Sequence, residues 1–270
     1  METTFLDVHG LRVRTILAGD PAAPPLVLLH GYPTSSDLWR NCIPLLARRR
    51  RVLAPDLPGH GESDKPLDLD YDLPFFVRFL EGFADAAGLG RFALAAHDLG
   101  GMVALGFAAR RPARLTRLVV MDTAPYLRWP LACRLLVGTA RNRTMASLLL
   151  RRPVFRILMR AGVHRAGVME RELAERYRSH WVASPEARRA FSTTVSMPPE
   201  RWALPLEELR AVSVPTLVLW AARDLLFGPG VARRLSRDIQ GAKLVVLPRC
   251  GHFLQEDDPA GVAEAIDRFV

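Results

Sequence analysis

The chain has 270 residues, 49% of them apolar, enough to bury a large core as one catalytic domain carrying an insertion. No uncharged apolar run approaches the ~18 residues of a membrane-crossing helix, and the first residues lack the basic start and apolar stretch of a secretory signal. Three unpatterned cysteines (Cys42, Cys133, Cys250) imply no disulfide framework and a reducing, cytoplasmic setting, and the net charge of +9 comes with no nucleic-acid-binding motif, which argues against that class of partner.

Residues 3–16 alternate in a way that predicts a strand pair turning at His9-Gly10. Pro24-Pro25 introduces Leu26-Val27-Leu28-Leu29, a continuous apolar run typical of a buried parallel strand, which ends in His30-Gly31-Tyr32-Pro33. Ser35-Ser36-Asp37 offers caps for a helix over 38–47. A strand over 51–54, a loop over 55–66 and a helix over 73–88 follow, then an apolar strand over 92–96. That strand runs into Ala95-Ala96-His97-Asp98-Leu99-Gly100-Gly101, with a helix expected over 102–109. Strand, sharp turn and helix therefore place one reactive side chain, Asp98, at an apex, with small residues where the backbones must approach closely. A carboxylate at such an apex attacks saturated carbon and forms an alkyl ester; the plain alternative is that Asp98 only caps the helix.

After a strand over 115–121 ending in Asp122, the strand–helix rhythm stops until Val214. The intervening residues, 126–211, read as a helical cap bracketed by prolines, with 1–125 and 212–270 forming the core domain. Sixteen arginines and seven glutamates lie between Tyr126 and Arg210, with no aspartate, so the insertion holds all the excess charge. Residues 148–160 alternate apolar and basic side chains near helical spacing, a pattern that fits either a lid with solvated arginines or contact with an anionic membrane. The lid is preferred because so short an amphipathic segment is a marginal anchor. The chain resumes with a strand over 215–220 ending in Ala221-Ala222-Arg223-Asp224, and a strand over 243–247 leading to Arg249-Cys250-Gly251-His252. A last helix covers 259–270. A mostly parallel central sheet flanked by helices, with the insertion after the sixth strand, would set His30, Asp98, Asp122, Asp224 and His252 at the carboxyl ends of strands.

Nucleophile, acid and histidine in that order is the chain order of an α/β-hydrolase fold. The run from His30 to Asn41, Gly61-Glu62-Ser63-Asp64-Lys65-Pro66, and Gly251-His252-Phe253-Leu254-Gln255-Glu256-Asp257 resemble the aspartate-nucleophile branch, the haloalkane dehalogenases and epoxide hydrolases. The resemblance covers the core and hardly the insertion. It implies that Asp98 displaces a halide or opens an epoxide, and that His252, oriented by Asp224 with Asp122 as the alternative acid, activates water against the ester. It also implies an oxyanion hole from the backbone N–H groups of Leu99 and Tyr32. His30, Pro33, Trp129, Tyr177 and Trp181 are expected to line a pocket for a small apolar substrate. No cofactor or metal is implied: the histidines show no ligand spacing and no phosphate-binding glycine loop is present.

Two residues depart from the resemblance. Dehalogenases place a tryptophan after the nucleophile and commonly an asparagine as second halide ligand, at the positions of Leu99 and Tyr32 here. Trp129, Trp181 or Trp202 are candidate replacement donors, as is the Tyr32 hydroxyl. The two cap tyrosines that epoxide hydrolases use are poorly matched by Tyr126 and Tyr177. Three readings stay open: a dehalogenase, an epoxide hydrolase, and a binder of apolar ligands with weak or no turnover.

Overall fold

A computed structural model describes the chain except Arg141, Ala166 and Met197 and the side chains of Arg143, Val195 and Ser196. Among the described residues eight strands form one sheet: β1 (Glu2–Val8), β2 (Leu11–Ala18), β3 (Pro25–Leu29), β4 (Arg51–Pro55), β5 (Phe92–His97), β6 (Leu115–Met121), β7 (Thr216–Ala221) and β8 (Lys243–Leu247). Their order is β1-β2-β4-β3-β5-β6-β7-β8. The β1–β2 and β2–β4 pairs are antiparallel, and every pair beyond them is parallel.

The central strands are apolar on both faces because both faces are covered. Val27 and Leu29 join one core with Leu94, Leu118 and Val120, while Leu26 and Leu28 join the other with Ala93, Ala95, Val119 and Met121. This period of two sorts each strand between two helical layers. The helices are α1 (Ile43–Leu46), α2 (Leu73–Ala86), α3 (Leu99–Arg110), α4 (Leu131–Ala140), α5 (Arg143–Leu149), α6 (Arg152–Ala161), α7 (Arg171–Val182), α8 (Pro185–Ser196), α9 (Leu206–Arg210), α10 (Pro229–Asp238), α11 (Leu254–Asp257) and α12 (Pro259–Phe269).

The helix expected over 38–47 is instead a 3-10 turn, Ser36–Trp39, followed by the short α1. Pro44 explains the break: it has no N–H and restricts the residue before it, so a helix restarts there rather than running through. Between β6 and β7 the described residues form helices and turns with no strand. The two ends of this insertion are tied together where the Leu204 N–H donates to the Pro125 carbonyl at 3.0 Å. All three cysteines are free and buried, and no described helix is long and apolar enough to cross a membrane.

Arg40 forms a two-pronged pair with Glu256 at 2.6 and 2.8 Å, and the Tyr177 hydroxyl of α7 donates to the same carboxylate at 2.5 Å. The cluster joins the insertion to the core through a buried charge. Arg40→Ala would leave Glu256 buried without its cation, a loss of about 3 kcal/mol that urea denaturation will register as a lower midpoint. A midpoint equal to that of the unaltered chain would show the pair to be replaceable by solvent.

Candidate active site

β5 delivers Asp98 into a backbone conformation (φ +52°, ψ −116°) that an aspartate adopts only under constraint. Its side chain makes no capping hydrogen bond to α3, so the capping alternative is not what the structure shows. The turn is held because the Asp98 N–H donates to the Met121 carbonyl at 3.0 Å and the Thr123 hydroxyl donates to the Asp98 carbonyl at 2.6 Å. Small residues are obligatory around it. A Cβ on Gly100 would come within 2.5 Å of the His30 carbonyl oxygen, and one on Gly31 would lie 2.4 Å from the Asp98 Cβ.

The closeness of Gly31 lets the next residue reach the carboxylate: the Tyr32 N–H donates to Asp98 Oδ1 at 2.8 Å, and the Leu99 N–H, like that of Tyr32, favours the ionised carboxylate. The other oxygen, Oδ2, lies 3.7 Å from His252 Nε2. On the far side of the ring, His252 Nδ1 donates to Asp224 Oδ2 at 3.0 Å. A carboxylate only accepts, so the proton sits on Nδ1 and the bare lone pair of Nε2 faces Asp98.

Electrostatics separate the carboxylates. Burial pushes Asp98 up, and the nearby His252 and the two N–H groups offset this only in part. Burial would also raise Asp224, but His252, by charge and hydrogen bond, holds it down at about 2. Burial disfavours a charged His252, yet Asp224 and then Asp98 outweigh it and lift the imidazole above its ordinary value. Asp122 is pushed well up by burial and then by the Asp224 charge, and its Oδ1 accepts the Ala221 N–H at 3.2 Å. The structure thus brings Asp98, His252 and Asp224 into one chain of contacts, with Asp122 held apart on the Ala221 backbone.

Above this chain lies an apolar cavity of about 200 Å³, bounded by Leu99 and Met102 of α3, Phe253, and residues of α4, α6 and α8. Of the residues expected to line it, Pro33 and Trp129 do, and Tyr32, expected only at the oxyanion hole, lines it as well. His30, Tyr177 and Trp181 do not. His30 is fully buried, its Nδ1 donating to the Gly31 carbonyl and its Nε2 accepting the Leu57 N–H, so it shapes the loop rather than the pocket. Tyr177 is spent on Glu256. Trp181 donates its N–H to the Pro33 carbonyl at 2.8 Å and packs behind Tyr32. Of the other tryptophan donors considered above, Trp129 gives its N–H to the Ala124 carbonyl at 3.1 Å, whereas Trp202 lines the cavity with its ring stacked on Phe76. The hydroxyl of Tyr126 is likewise engaged, donating to Asp238 at 2.9 Å.

Contributors the sequence reading missed include Phe191 and Thr194 of α8, and His97. The His97 Nε2–H donates to the His252 carbonyl at 2.8 Å, and burial holds the ring well below its ordinary pKa, so it braces the imidazole as a neutral side chain. A signal for the α8 pair was present: Ala187, Ala190, Phe191 and Thr194 fall at i, i+3, i+4 and i+7, and all four are buried. Among the described residues no group of three or more His, Cys, Asp or Glu is placed to hold a metal ion.

An aspartate at a strand-to-helix elbow, with histidine and a second carboxylate brought in from later strand ends, on a mostly parallel eight-stranded sheet, is the layout of an α/β hydrolase. The chain belongs to the alpha/beta hydrolase fold family, whose model matches residues 24–259. It is 32% identical to a haloalkane dehalogenase of Mesorhizobium japonicum, over 91% of this chain and 84% of that protein. It is 30% identical to a 2-hydroxy-6-oxo-2,4-heptadienoate hydrolase of Pseudomonas putida, over 96% of this chain and 93% of that protein. Its fold superposes on the crystal structure of Cfl2 from Burkholderia cenocepacia with a TM-score of 0.86 at 26% identity, covering 99% of this chain and 95% of that one. The protein is therefore a hydrolase of the dehalogenase-like branch.

Proposed function

We propose that the protein cleaves the carbon–halogen bond of a small or medium apolar substrate through an ester on Asp98. The observation that carries this reading is the Asp98 carboxylate itself. One oxygen is fixed by the Tyr32 backbone N–H, the other faces His252, and none of the described residues that line the cavity around it is Lys or Arg. Despite the +9 charge of the chain, an anionic substrate would find no cation among the described lining residues, whereas an apolar electrophile would be desolvated against the nucleophile. Asp98 Oδ2 displaces the halide and becomes the ester oxygen. His252 Nε2 then takes a proton from water, whose oxygen attacks the ester carbonyl; Asp224 stabilises the imidazolium, and the Tyr32 and Leu99 N–H groups stabilise the oxyanion. The helical insertion serves as the lid, its arginines solvated, and the buried free cysteines fit a cytoplasmic enzyme.

A second reading, epoxide opening by the same three residues, is supported by the Tyr32 phenol at the cavity wall. Binding of an apolar ligand without turnover is the third. Chloride or bromide release from 1-halobutanes is the expected result. Diol formation from styrene oxide without halide release would favour the second reading, and thermal stabilisation by ligands without product the third.

The pH dependence follows from His252. Its lone pair is available only above its pKa, which Asp224, against the opposing effect of burial, lifts above the ordinary imidazole value. Hydrolysis of the ester will slow as pH falls through that point, approaching tenfold per unit below it. A stopped-flow pH series that is flat down to pH 5 would contradict His252 as the base.

A further inference from the structure

We infer that Asp257 is a positioning residue for the catalytic base: it ties the loop that carries His252 to the end of the lid helix α6, so that the seating of the lid sets the reach of the imidazole. This rests on the reading above of an ester on Asp98 that His252 resolves.

Asp257 closes α11, shortly after the histidine, and is 1% exposed. Both of its oxygens accept backbone N–H groups. Oδ2 takes those of Gly251 at 2.8 Å and His164 at 2.7 Å, and Oδ1 takes that of Arg165 at 2.8 Å. Gly251 precedes the histidine, whereas His164 and Arg165 follow α6 in the insertion. On the other side of the histidine, the Phe253 N–H donates at 2.8 Å to the carbonyl of Gly162, the residue that caps α6. Both neighbours of His252 are therefore fastened to residues 162–165, one through Asp257 and one directly. The two segments touch without a spacer. A Cβ on Gly251 would fall 2.8 Å from the Gly162 carbonyl oxygen, and one on Gly162 would fall 2.4 Å from the Phe253 ring.

Stripping a buried acceptor of its N–H partners is costly, so the clamp holds 162–165 and 251–253 as one body. It acts on the base and leaves the nucleophile alone. The Asp98 turn is held by Met121, Thr123 and Tyr32, none of which belongs to the clamp. Phe155, Leu158 and Met159 of α6 form cavity wall, so an outward swing of the end of α6 would loosen that wall and unseat the imidazole together. Misplacing a reacting group by about 1 Å costs on the order of 10²-fold, and here the cost falls on the hydrolysis of the ester rather than on its formation.

Asp257→Asn keeps the size of the side chain but has one acceptor oxygen where two were used, and turns N–H groups toward a backbone donor. In rapid-quench experiments with 1-bromobutane, ester formation will stay within about threefold of the unaltered protein while ester hydrolysis slows by roughly 10- to 100-fold. The butyl ester on Asp98 then accumulates during turnover, visible by intact-mass spectrometry, and kcat and KM fall together while kcat/KM holds. A merely structural anchor would instead lower the folded fraction, so kcat and kcat/KM would fall alike with KM unchanged. Gly162→Ala probes the clamp from the lid side: it keeps Asp257 but displaces Phe253, whose ring centre lies 5.1 Å from that of His252. The same signature is expected, and this variant supplies the test should Asp257→Asn not fold. A folded variant whose kcat and kcat/KM fall equally, or do not change, would overturn the inference and leave the ester reading intact. Neither bromide from 1-bromobutane nor diol from styrene oxide with the unaltered protein would overturn both.

Discussion

Asp98→Asn will abolish turnover, lowering halide release by roughly 10⁴-fold or more, and will raise rather than lower the melting temperature. The loss follows because an amide cannot supply the nucleophilic oxygen of an ester-forming displacement, while the rest of the site stays in place. The stability gain follows from linkage. Folding raises the Asp98 pKa, so the folded state holds that proton more tightly than the unfolded chain does. The stabilising contribution is present at acid pH and disappears as pH rises through the folded value; at neutral pH the ionised, buried carboxylate weakens the fold, and a neutral isostere removes that penalty. Asp98→Ala will be equally inactive. Halide release within tenfold of the unaltered enzyme would remove Asp98 from the chemistry.

The two candidate acids will separate just as clearly. Asp224→Asn will reduce kcat by roughly 10³- to 10⁴-fold, because the amide no longer accepts the Nδ1 proton as a charge and leaves the imidazolium unsupported. It will also move the acid limb of the pH profile downward, since Asp224 is the group that lifts His252 most. Asp122→Asn will cost less than about tenfold: burial already disfavours a charge on Asp122, and its contact is to the Ala221 backbone rather than to the imidazole. Steady-state rates of the two variants across pH 5–9 decide the matter. A severe Asp122 defect beside a mild Asp224 one would reverse the assignment.

The sheet was legible because its strands are short apolar runs ending in functional residues, and a parallel strand buried on both faces has little freedom to look otherwise. Leu26 to Leu29 and Leu115 to Met121 fall where expected. The apex was legible because a glycine pair after an aspartate at a strand end answers a steric demand, which the close approach of Gly100 to the His30 carbonyl makes explicit. The insertion was not legible in the same way. Trp181 and Tyr177 sit on an amphipathic helix whose buried face reads alike whether it meets a cavity, a loop or a charge cluster. Here the tryptophan meets the Pro33 carbonyl and the tyrosine meets Glu256. His30, at a strand end beside the site, had the position of a pocket residue; only the two backbone partners of its ring show that it holds a loop. Thr194 was overlooked because a threonine on a helix is unremarkable until its hydroxyl is seen to be buried without a partner.

The central claim is a covalent ester on Asp98 that His252 resolves. Intact-mass and peptide mass spectrometry of His252→Ala, incubated with 1-bromobutane and styrene oxide separately, tests it most directly. The predicted result is a stoichiometric butyl adduct on the peptide that contains Asp98, persisting because no base delivers water. A folded variant that carries no adduct from either compound, or carries one on any other residue, would contradict it.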